Sequence, residues 1–290
     1  MGRDIWSEWL LHRRFGGDAQ RTQKVLDFLR PIRDKVLHNA RLAEGETVLD
    51  VGCGDGLIGF GALEKIASGT VILSDISQDL LEYVQSLARD MGLLDRCQFV
   101  RAPAEDLSAL DDASVDVVAL RSVLIYVSAK QQAFREFYRV LRPGGRLSLF
   151  EPINRFGIAA SDQPHVFAGY DVTPVIDIAQ KIKAVYRQLQ PVDSDPMLNF
   201  DERDLIAYAE QAGFGEIHLE LQVDIVPPEE DDWHAFIGTA GNPNIPTLEE
   251  AMQQVLTLDE MERLVACLRP LVEARQGVHR RAVAYLWAVK

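Results

Sequence analysis

The chain has 290 residues, 47% of them hydrophobic, so it is long enough for one large domain or two small ones with a sizeable core. Its 30 basic and 44 acidic side chains give a net charge of −14, which disfavours a nucleic-acid partner because phosphate binding requires a basic face. Three distant cysteines without Cys-x-x-Cys spacing disfavour a metal site or a disulfide framework and favour the cytoplasm. No apolar run approaches the roughly 20 residues that span a bilayer.

The N-terminal residues 4–40 have apolar positions at helical spacing, which predicts two helices rather than a signal peptide. Trp6 and Trp9, in the first of these helices, either pack in the core or belong to a lid over a ligand cleft. In the second case Arg13 or Arg14 could reach a carboxylate of the ligand.

The stretch from Val48 to Gly59, with the sequence VLDVGCGDGLIG, organises the rest of the chain. An apolar run stops at a cluster of glycines, and an apolar-periodic segment follows at once, which predicts a strand, a tight turn and a helix. The glycines allow the backbone to lie close to a ligand. The unpaired N–H groups at the start of the helix suit a carboxylate or a phosphate.

Two classes of ligand use such a turn. Residues 54–59 match the dinucleotide fingerprint Gly-x-Gly-x-x-Gly, but the match starts two residues late, because the turn begins at Gly52 and the third glycine position is then Leu57. The pattern acidic-x-Gly-x-Gly-x-Gly over residues 50–56 fits better and resembles the S-adenosylmethionine (AdoMet) loop of class I methyltransferases. The resemblance implies cofactor contacts from Asp50, Gly52, Gly54 and Asp55.

The ends of the second and third predicted strands add further cofactor contacts. A short β run leads to Asp75, and an acid at this position can accept hydrogen bonds from both ribose hydroxyls. The resemblance implies that Ile76 belongs to the same site and that the loop after strand three holds the adenine edge through Ala104 and Glu105. Asp75 could instead cap the next helix, and Glu105 could belong to a charged loop that caps a short helix.

The fourth predicted strand, Val115–Leu120, is nearly all apolar, as expected for a strand that is buried on both faces. It ends at Arg121, which is predicted to contact the cofactor. Residues 141–145, with the sequence LRPGG, resemble the turn that precedes strand five in the methyltransferase family. Arg146–Phe150 is then predicted as the fifth strand.

The order of these elements predicts an α/β fold with a doubly wound, mostly parallel seven-stranded sheet. The resemblance places strands six and seven at Glu216–Ile225 and Ala282–Val289, with the last strand antiparallel between the fifth and the sixth. The predicted organisation is an N-terminal helical lid over 1–40, an AdoMet-binding domain over 41–226 with a substrate-side insertion at 151–200, a helical insertion over 227–281 and a final strand over 282–290.

The two insertions are predicted to carry the acceptor site, because long insertions in compact domains are often lids or interfaces. The candidate catalytic residues are Glu151, which ends the fifth predicted strand, and the ionisable residues His165 and Tyr170. Glu151 could instead form a salt bridge with Arg121 or Arg155, and His165 could have a structural role.

These features predict a methyltransferase that moves a methyl group from AdoMet to a small molecule or a short peptide by in-line displacement. No metal, nucleic acid or membrane partner is expected. An NAD(P)-dependent oxidoreductase and a non-catalytic AdoMet-binding protein are the alternatives. The Pro-Gly-Gly turn disfavours the first of them, whereas motifs that report only binding leave the second open.

Overall fold

The computed structural model describes residues 4–13, 19–161, 163–230 and 232–290, without the side chains of residues 12–26 and 159–161. The strands of this part of the chain are β1 (Thr47–Val51), β2 (Thr70–Asp75), β3 (Cys97–Arg101), β4 (Val115–Arg121), β5 (Leu141–Pro152), β6 (Val166–Phe167), β7 (Tyr170–Asp171), β8 (Glu216–Val226) and β9 (His279–Val289).

The helices alternate with these strands through most of the chain. They are α1 (Ile5–Glu8), which continues as a π-helical turn over Trp9–Arg13, α2 (Ala19–Asn39), α3 (Leu57–Lys65), α4 (Gln78–Asp90), α5 (Lys130–Val140), α6 (Asn154–Ser161), α7 (Ile176–Leu189), α8 (Glu202–Ala212), α9 (Trp233–Gly238), α10 (Leu248–Val255) and α11 (Leu258–Glu273). None of the described helices is both long and apolar enough to cross a bilayer.

Seven strands form one sheet in the order β3-β2-β1-β4-β5-β9-β8. The first five strands are parallel, and β9 runs antiparallel to both β5 and β8. Side chains of α2, α3 and α4 fill the core on one face of this sheet, and side chains of α5 and α8 fill the core on the other. The predicted doubly wound sheet with an inserted antiparallel strand is therefore confirmed.

Strand β5 is longer than the sequence predicts. It begins at Leu141 and includes the Pro-Gly-Gly segment that was expected to be a turn, with a register shift opposite residues 115–117 of β4. The chain end accounts for this difference, because Gly144 donates its N–H to the carbonyl of Lys290 and Lys290 donates its N–H to the carbonyl of Gly145. The Pro-Gly-Gly segment keeps its turn as a bulge in β5, because Leu141 and Arg146 pair with Val115 and Val117 of β4 and the residues between them lie outside that ladder.

The two insertions pack on each other around a third core, which is separate from the two faces of the sheet. Its buried side chains come from the β6–β7 hairpin and from α7, α9, α10 and α11. Helices α10 and α11 lie in the segment that was predicted as a helical insertion, and α9 is a further short helix in the same segment. The insertions therefore form a compact layer of their own.

The glycine loop packs tightly against the sheet at Gly59, in the first turn of α3. A Cβ atom at this position would lie 2.7 Å from Cδ2 of Leu73 and 3.1 Å from Oδ2 of Asp50. The N–H of Gly59 donates to the same Asp50 oxygen at 2.8 Å. A side chain at residue 59 would therefore push α3 away from β1 and β2.

We expect Gly59→Ala to lower the free energy of unfolding by about 1–3 kcal/mol relative to Gly238→Ala, because overpacking outweighs the helix preference of alanine. Gly238 is a suitable control, since it also lies in a helix and no atom is within 4 Å of its added Cβ. Urea denaturation of both variants measures the difference. Equal stabilities would show that α3 moves freely on the sheet.

Candidate active site

A cavity of about 270 Å³ lies at the carboxyl ends of β1, β2 and β4, under the N-terminal helix. Parallel strands of a doubly wound sheet bring their following loops together at this edge, which is where such folds bind ligands. Seven of the predicted cofactor residues line the cavity, namely Gly52, Gly54, Asp75, Ile76, Ala104, Glu105 and Arg121. The other two, Asp50 and Asp55, are not among its lining residues.

The glycine loop forms the floor of the cavity. Gly52 and Gly54 have φ angles of 63° and 54°, which favour glycine. A Cβ at residue 52 would lie 2.6 Å from Cγ2 of Val123, and one at residue 54 would lie 3.2 Å from Cδ2 of Leu10. Larger residues would therefore strain the backbone and fill space between the loop, the end of β4 and the N-terminal helix.

Asp50 lies behind the loop rather than in the cavity. Its side chain is buried, and its Oδ2 accepts the N–H of Gly59, so it holds the first turn of α3 against β1. Burial raises the pKa of Asp50 to about 8, partly offset by that hydrogen bond and by the nearby Arg121. Asp55 accepts the N–H of Leu57 at 3.4 Å, also within the turn.

Asp75 connects the end of β2 with the glycine loop and with the start of α4. Its Oδ2 accepts the N–H of Gly54 at 3.0 Å, and its Oδ1 accepts the N–H of Ser77 at 2.9 Å. Burial raises the pKa of the carboxyl group. Each carboxylate oxygen has two lone pairs, so both oxygens keep capacity to accept from a ligand hydroxyl. Ser77, and not Asp75, caps α4 by accepting the N–H of Leu80.

The loops after β2 and β3 form one side of the cavity. Ile76 is 42% exposed although it is a large apolar residue, and Ala104 is buried beside Pro103. Glu105 is half-buried, and no described residue forms a hydrogen bond or an ion pair with its carboxylate. This wall therefore combines apolar surface with one available acceptor.

The end of β4 forms the opposite side. Arg121 is half-buried and lines the cavity, and its guanidinium forms no ion pair within the part of the chain that the structure describes. Ser122 follows with φ of 56°, a left-handed conformation that is unusual for serine. Its N–H donates to the carbonyl of Phe150, which fixes the chain where it leaves the sheet. The cavity thus has one positive group, which can bind an anion.

Glu151 lies behind the cavity wall. It is fully buried, and its carboxylate accepts the N–H groups of Val123, Leu124 and Ile125 at 2.9, 2.9 and 3.2 Å. Burial raises its pKa to about 7, while these bonds and the charge of Lys130 act in the opposite direction. The salt bridges with arginine that the sequence analysis considered are not formed, since the backbone after β4 occupies both carboxylate oxygens.

The other two catalytic candidates lie elsewhere. The ring of Tyr170 is buried in the insertion core, edge-on to Phe236 at 5.6 Å, and its hydroxyl has no hydrogen-bond partner among the described residues. His165 is exposed, and its carbonyl accepts the N–H of Val172. Neither residue lines the cavity, so the structure does not bring the three candidates together.

The N-terminal helix covers the cavity. Asp4 caps α1, accepts the hydroxyl of Ser77 at 2.6 Å and donates its N–H to Asp79 at 2.7 Å. Both Trp6 and Trp9 line the cavity, which agrees with the lid alternative, whereas the Arg13 side chain and Arg14 lie outside the described residues.

Aromatic contacts complete this cover. The rings of Trp6 and Trp9 meet Tyr126 edge-on, at centroid distances of 5.0 and 6.2 Å. Nε1 of Trp9 donates to the carbonyl of Ala240, in the second insertion, at 3.1 Å. The sequence analysis did not identify Val123 as part of this wall, because only the turn after β4 places it there. Among the described residues no group of His, Cys, Asp and Glu side chains could hold a metal ion.

Sequence comparisons agree with this geometry. The model of a methyltransferase domain family matches residues 49–149. The ubiquinone/menaquinone biosynthesis C-methyltransferase UbiE of Idiomarina loihiensis is 28% identical over 180 residues, which cover 61% of this chain and 69% of that protein. UbiE of Hahella chejuensis is 39% identical over 130 residues, which cover 44% of this chain and 49% of that protein. The chain thus spans about half the length of the second relative.

Solved structures share the fold. The YcgJ protein from Bacillus subtilis has a TM-score of 0.54 at 17% identity, covering 89% of this chain and 97% of that one. A geranyl diphosphate methyltransferase in complex with SAM has a TM-score of 0.53 at 18% identity, covering 94% and 91%. The [4+2]-cyclase SpnF, with a TM-score of 0.51 at 20% identity, is also similar, so the fold alone does not fix a reaction.

The domain match and the curated relatives decide between the two cofactor classes that the glycine loop allowed. The domain match spans residues 49–149, which carry the loop, the strand ends and the Pro-Gly-Gly segment, and the curated relatives are methyltransferases. The comparisons therefore favour AdoMet over NAD(P) as the cofactor. The chain thus carries a methyltransferase domain over residues 49–149, and the comparisons support S-adenosylmethionine as its cofactor.

Proposed function

We propose that the chain binds AdoMet in the cavity under the N-terminal helix and methylates a small-molecule acceptor. The observation that carries this proposal is the convergence on one cavity of the glycine loop, Asp75 and the Arg121 guanidinium, which forms no ion pair with the described residues. These groups fit the cofactor chemically. Gly54 has no Cβ, which leaves space for a ligand over the loop. The Asp75 carboxylate beside it can accept a hydrogen bond, and the Arg121 guanidinium across the cavity carries a positive charge.

The proposed contacts follow from the chemistry of each side chain. The Asp75 carboxylate accepts hydrogen bonds from the ribose hydroxyls. Each of its oxygens already accepts one backbone N–H and can accept one further hydrogen bond. Glu105 accepts from the adenine amino group, and Ile76 covers the face of the base. Arg121 binds the carboxylate of the methionine part, because guanidinium and carboxylate groups match in charge and geometry.

When bound, AdoMet supplies a methyl group on a sulfonium sulfur, which keeps the bonding electron pair as the methyl carbon passes to a nucleophilic acceptor atom. The protein aligns the two partners and excludes water. The aromatic cover of Trp6, Trp9 and Tyr126 suits both tasks, because aromatic faces attract a cation and keep solvent out. An acceptor that carries a proton on the reacting atom would release it to a base.

The relatives support a small molecule as the acceptor. They are named as C-methyltransferases of ubiquinone/menaquinone biosynthesis, which favours a carbon atom as the methylated position. A short peptide remains the second acceptor class, because the alignment with the Hahella relative covers only 130 residues of this chain.

We propose Glu151 as a positioning residue rather than a catalytic one. It holds the three consecutive N–H groups of residues 123–125, directly behind Val123 and Tyr126 of the cavity wall. The carboxylate is fully buried and does not line the cavity. Its effect on the reaction would therefore pass through the shape of the loop after β4.

We expect the purified chain, incubated with a cell extract and AdoMet that carries a deuterated methyl group, to produce S-adenosylhomocysteine and a labelled small molecule. Mass spectrometry of the small-molecule and peptide fractions identifies the acceptor class, and Asp75→Ala serves as the inactive control. Label in the peptide fraction alone would contradict the acceptor class. Bound AdoMet without turnover would instead favour a non-catalytic binding protein.

Two substitutions should distinguish the contact with the ribose of AdoMet from the contact with its carboxylate. Asp75→Ala should weaken both AdoMet and methylthioadenosine, which lacks the carboxylate, by about 1–3 kcal/mol. Arg121→Met should weaken AdoMet by a similar amount and leave methylthioadenosine within about 0.5 kcal/mol. Titration calorimetry measures all four affinities, with the exposed Asp95→Ala as control. Equal losses for both ligands in Arg121→Met would remove its assignment to the carboxylate.

Stability should depend on pH through Glu151. Its pKa is raised from 4.5 to about 7 in the folded state, so between these values the folded protein binds more protons than the unfolded chain. The free energy of unfolding should therefore fall as the pH rises from 5 to 8, by up to about 3 kcal/mol from this group. Glu151→Gln should remove this component, as measured by urea denaturation at both values.

Glu136→Gln is the matched control for this pH series. The hydrogen bond with Arg139 lowers the pKa of Glu136, so its carboxyl is ionised in both states above pH 5. The stability difference between this variant and the wild type should stay constant from pH 5 to 8. If the difference in free energy of unfolding between the wild type and Glu151→Gln is also constant from pH 5 to 8, Glu151 is ionised over that whole range.

A further inference from the structure

The strand β8 (Glu216–Val226) forms one edge of the seven-stranded sheet and has a free side. Within the described part of the chain its neighbour in the sheet is β9 alone, and the two strands pair residue by residue over the whole length of β8. Among the described residues, none outside β9 forms a hydrogen bond with the backbone of residues 216–226. The outer N–H and C=O groups of β8 are therefore available to a further strand.

This edge lacks the features by which soluble proteins usually protect a free strand. Protected edge strands are short, bulged, or interrupted by proline or lysine. Strand β8 has 11 residues, contains neither proline nor lysine, and pairs with β9 without a register shift. The opposite edge of the same sheet, β3, has only 5 residues. The long edge is therefore the one that offers a template for another strand.

One face of β8 is apolar along the whole strand. Alternation places five apolar side chains on this face, those of Ile217, Leu219, Leu221, Val223 and Ile225. Ile217 and Leu219 pack against the core of the sheet. Leu221, Val223 and Ile225 are 41, 42 and 60% exposed. The apolar row therefore continues beyond the core into solvent, where a second strand with the same pattern would cover it.

The sequence of β8 is complementary to itself when two copies run antiparallel about Leu221. In this register Leu221 faces Leu221 of the partner subunit. Leu219 then faces Val223 of the partner subunit, and Ile217 faces Ile225 of the partner subunit. Each apolar row meets the same row of the other copy, and the pairing uses the full length of both strands.

The polar face of β8 favours the same register. His218 then faces Asp224 of the partner subunit, and Glu220 faces Gln222 of the partner subunit. Moving the centre of symmetry by one residue in either direction places Glu216 or Glu220 opposite Asp224 of the partner subunit. Opposed like charges destabilise a sheet. Of these three registers, only the one centred on Leu221 avoids them.

The acidic side chains of β8 are matched by basic groups of the same chain. The ion pairs are Glu216–Arg41, Glu220–Lys35 and Asp224–Arg281. They leave the edge locally balanced in charge, although the whole chain has a net charge of −14. Two copies can therefore bring this edge together without the repulsion that the net charge alone would predict.

We propose that the chain forms a symmetric dimer in which the β8 strands of two copies pair antiparallel about Leu221. The free backbone groups of the edge supply hydrogen bonds, and the exposed apolar row supplies buried surface. The two seven-stranded sheets then join into one continuous sheet. The cofactor cavity lies at the ends of β1, β2 and β4, away from this edge, so the pairing is independent of the proposed methyl transfer.

Sedimentation velocity of the full chain at micromolar concentrations should show a reversible equilibrium between monomer and dimer. Leu221→Lys and Leu221→Glu each place two like charges opposite each other, and each should raise the dissociation constant of the dimer roughly 10-fold. A wild-type chain that stays monomeric at every concentration, or a dimer that both variants leave unchanged, would overturn the proposal.

Met91→Lys is the matched control for these variants. It adds the same charge at an apolar side chain that is 51% exposed, at the end of α4 and on the half of the sheet that is remote from β8. Its dissociation constant should equal that of the wild type. A loss equal to that in Leu221→Lys would mean that net charge alone separates the copies, and would overturn the placement at β8.

An equimolar mixture of Leu221→Lys and Leu221→Glu tests the register. The two substituted positions face each other across the symmetry axis of the proposed dimer, so opposite charges should make the mixed dimer roughly 5-fold tighter than either variant alone. Native mass spectrometry identifies the mixed dimer by its mass. A mixture that dissociates as readily as its components would overturn the pairing about Leu221.

Amide hydrogen exchange of the wild type tests the same edge without any variant, should a charged residue prevent folding. Those amides of residues 216–226 that point away from β9 should exchange more slowly at concentrations where the dimer dominates, because pairing protects them. The protection should be lost on dilution. Equal exchange rates of these amides in the monomer and in the dimer would overturn β8 as the interface.

Discussion

The pair of hydrogen bonds that the Asp75 carboxylate accepts is the constraint on which the cofactor cavity depends. One oxygen holds the glycine loop through the N–H of Gly54, and the other holds the start of α4 through the N–H of Ser77. Ser77 in turn donates to Asp4 at the first helix. A single buried acid at the end of β2 therefore sets the distance between the floor and the cover of the cavity. Any ligand hydroxyl that binds Asp75 meets an acceptor whose position is already fixed.

Two other buried carboxylates at this edge of the sheet also accept backbone N–H groups and so fix the adjoining segments. Asp50 holds the first turn of α3, and Glu151 holds the three N–H groups after β4. Burial raises the pKa of both groups, so each lowers stability when it ionises. The loops that they hold line the cavity in which we propose that the cofactor binds, and such loops need support to be pre-organised.

The fold, and the convergence of most of the predicted cofactor residues on one cavity, could be predicted from the sequence, because both depend on local patterns. Strand ends, glycines and the acid after β2 occur at fixed positions along the chain, and parallel strands bring them to one edge. The role of Asp50 could not be predicted, since a motif position does not tell whether a carboxylate faces a ligand or a backbone N–H. The positions of Tyr170 and His165 could not be predicted either, because they depend on how two distant insertions pack.

The separate core of the insertions has a consequence for how such an enzyme can change during evolution. Side chains from α7, α9, α10 and α11 pack on one another rather than on the sheet that carries the cofactor loops. If the insertions carry the acceptor site, as the sequence predicts, substitutions there would change it while the energetics of the sheet remain intact, because distant sites contribute independently. The alignment with the Hahella relative covers less than half of this chain, consistent with a reusable cofactor module. New acceptor preferences can therefore arise in this layer without any compensating change in the sheet.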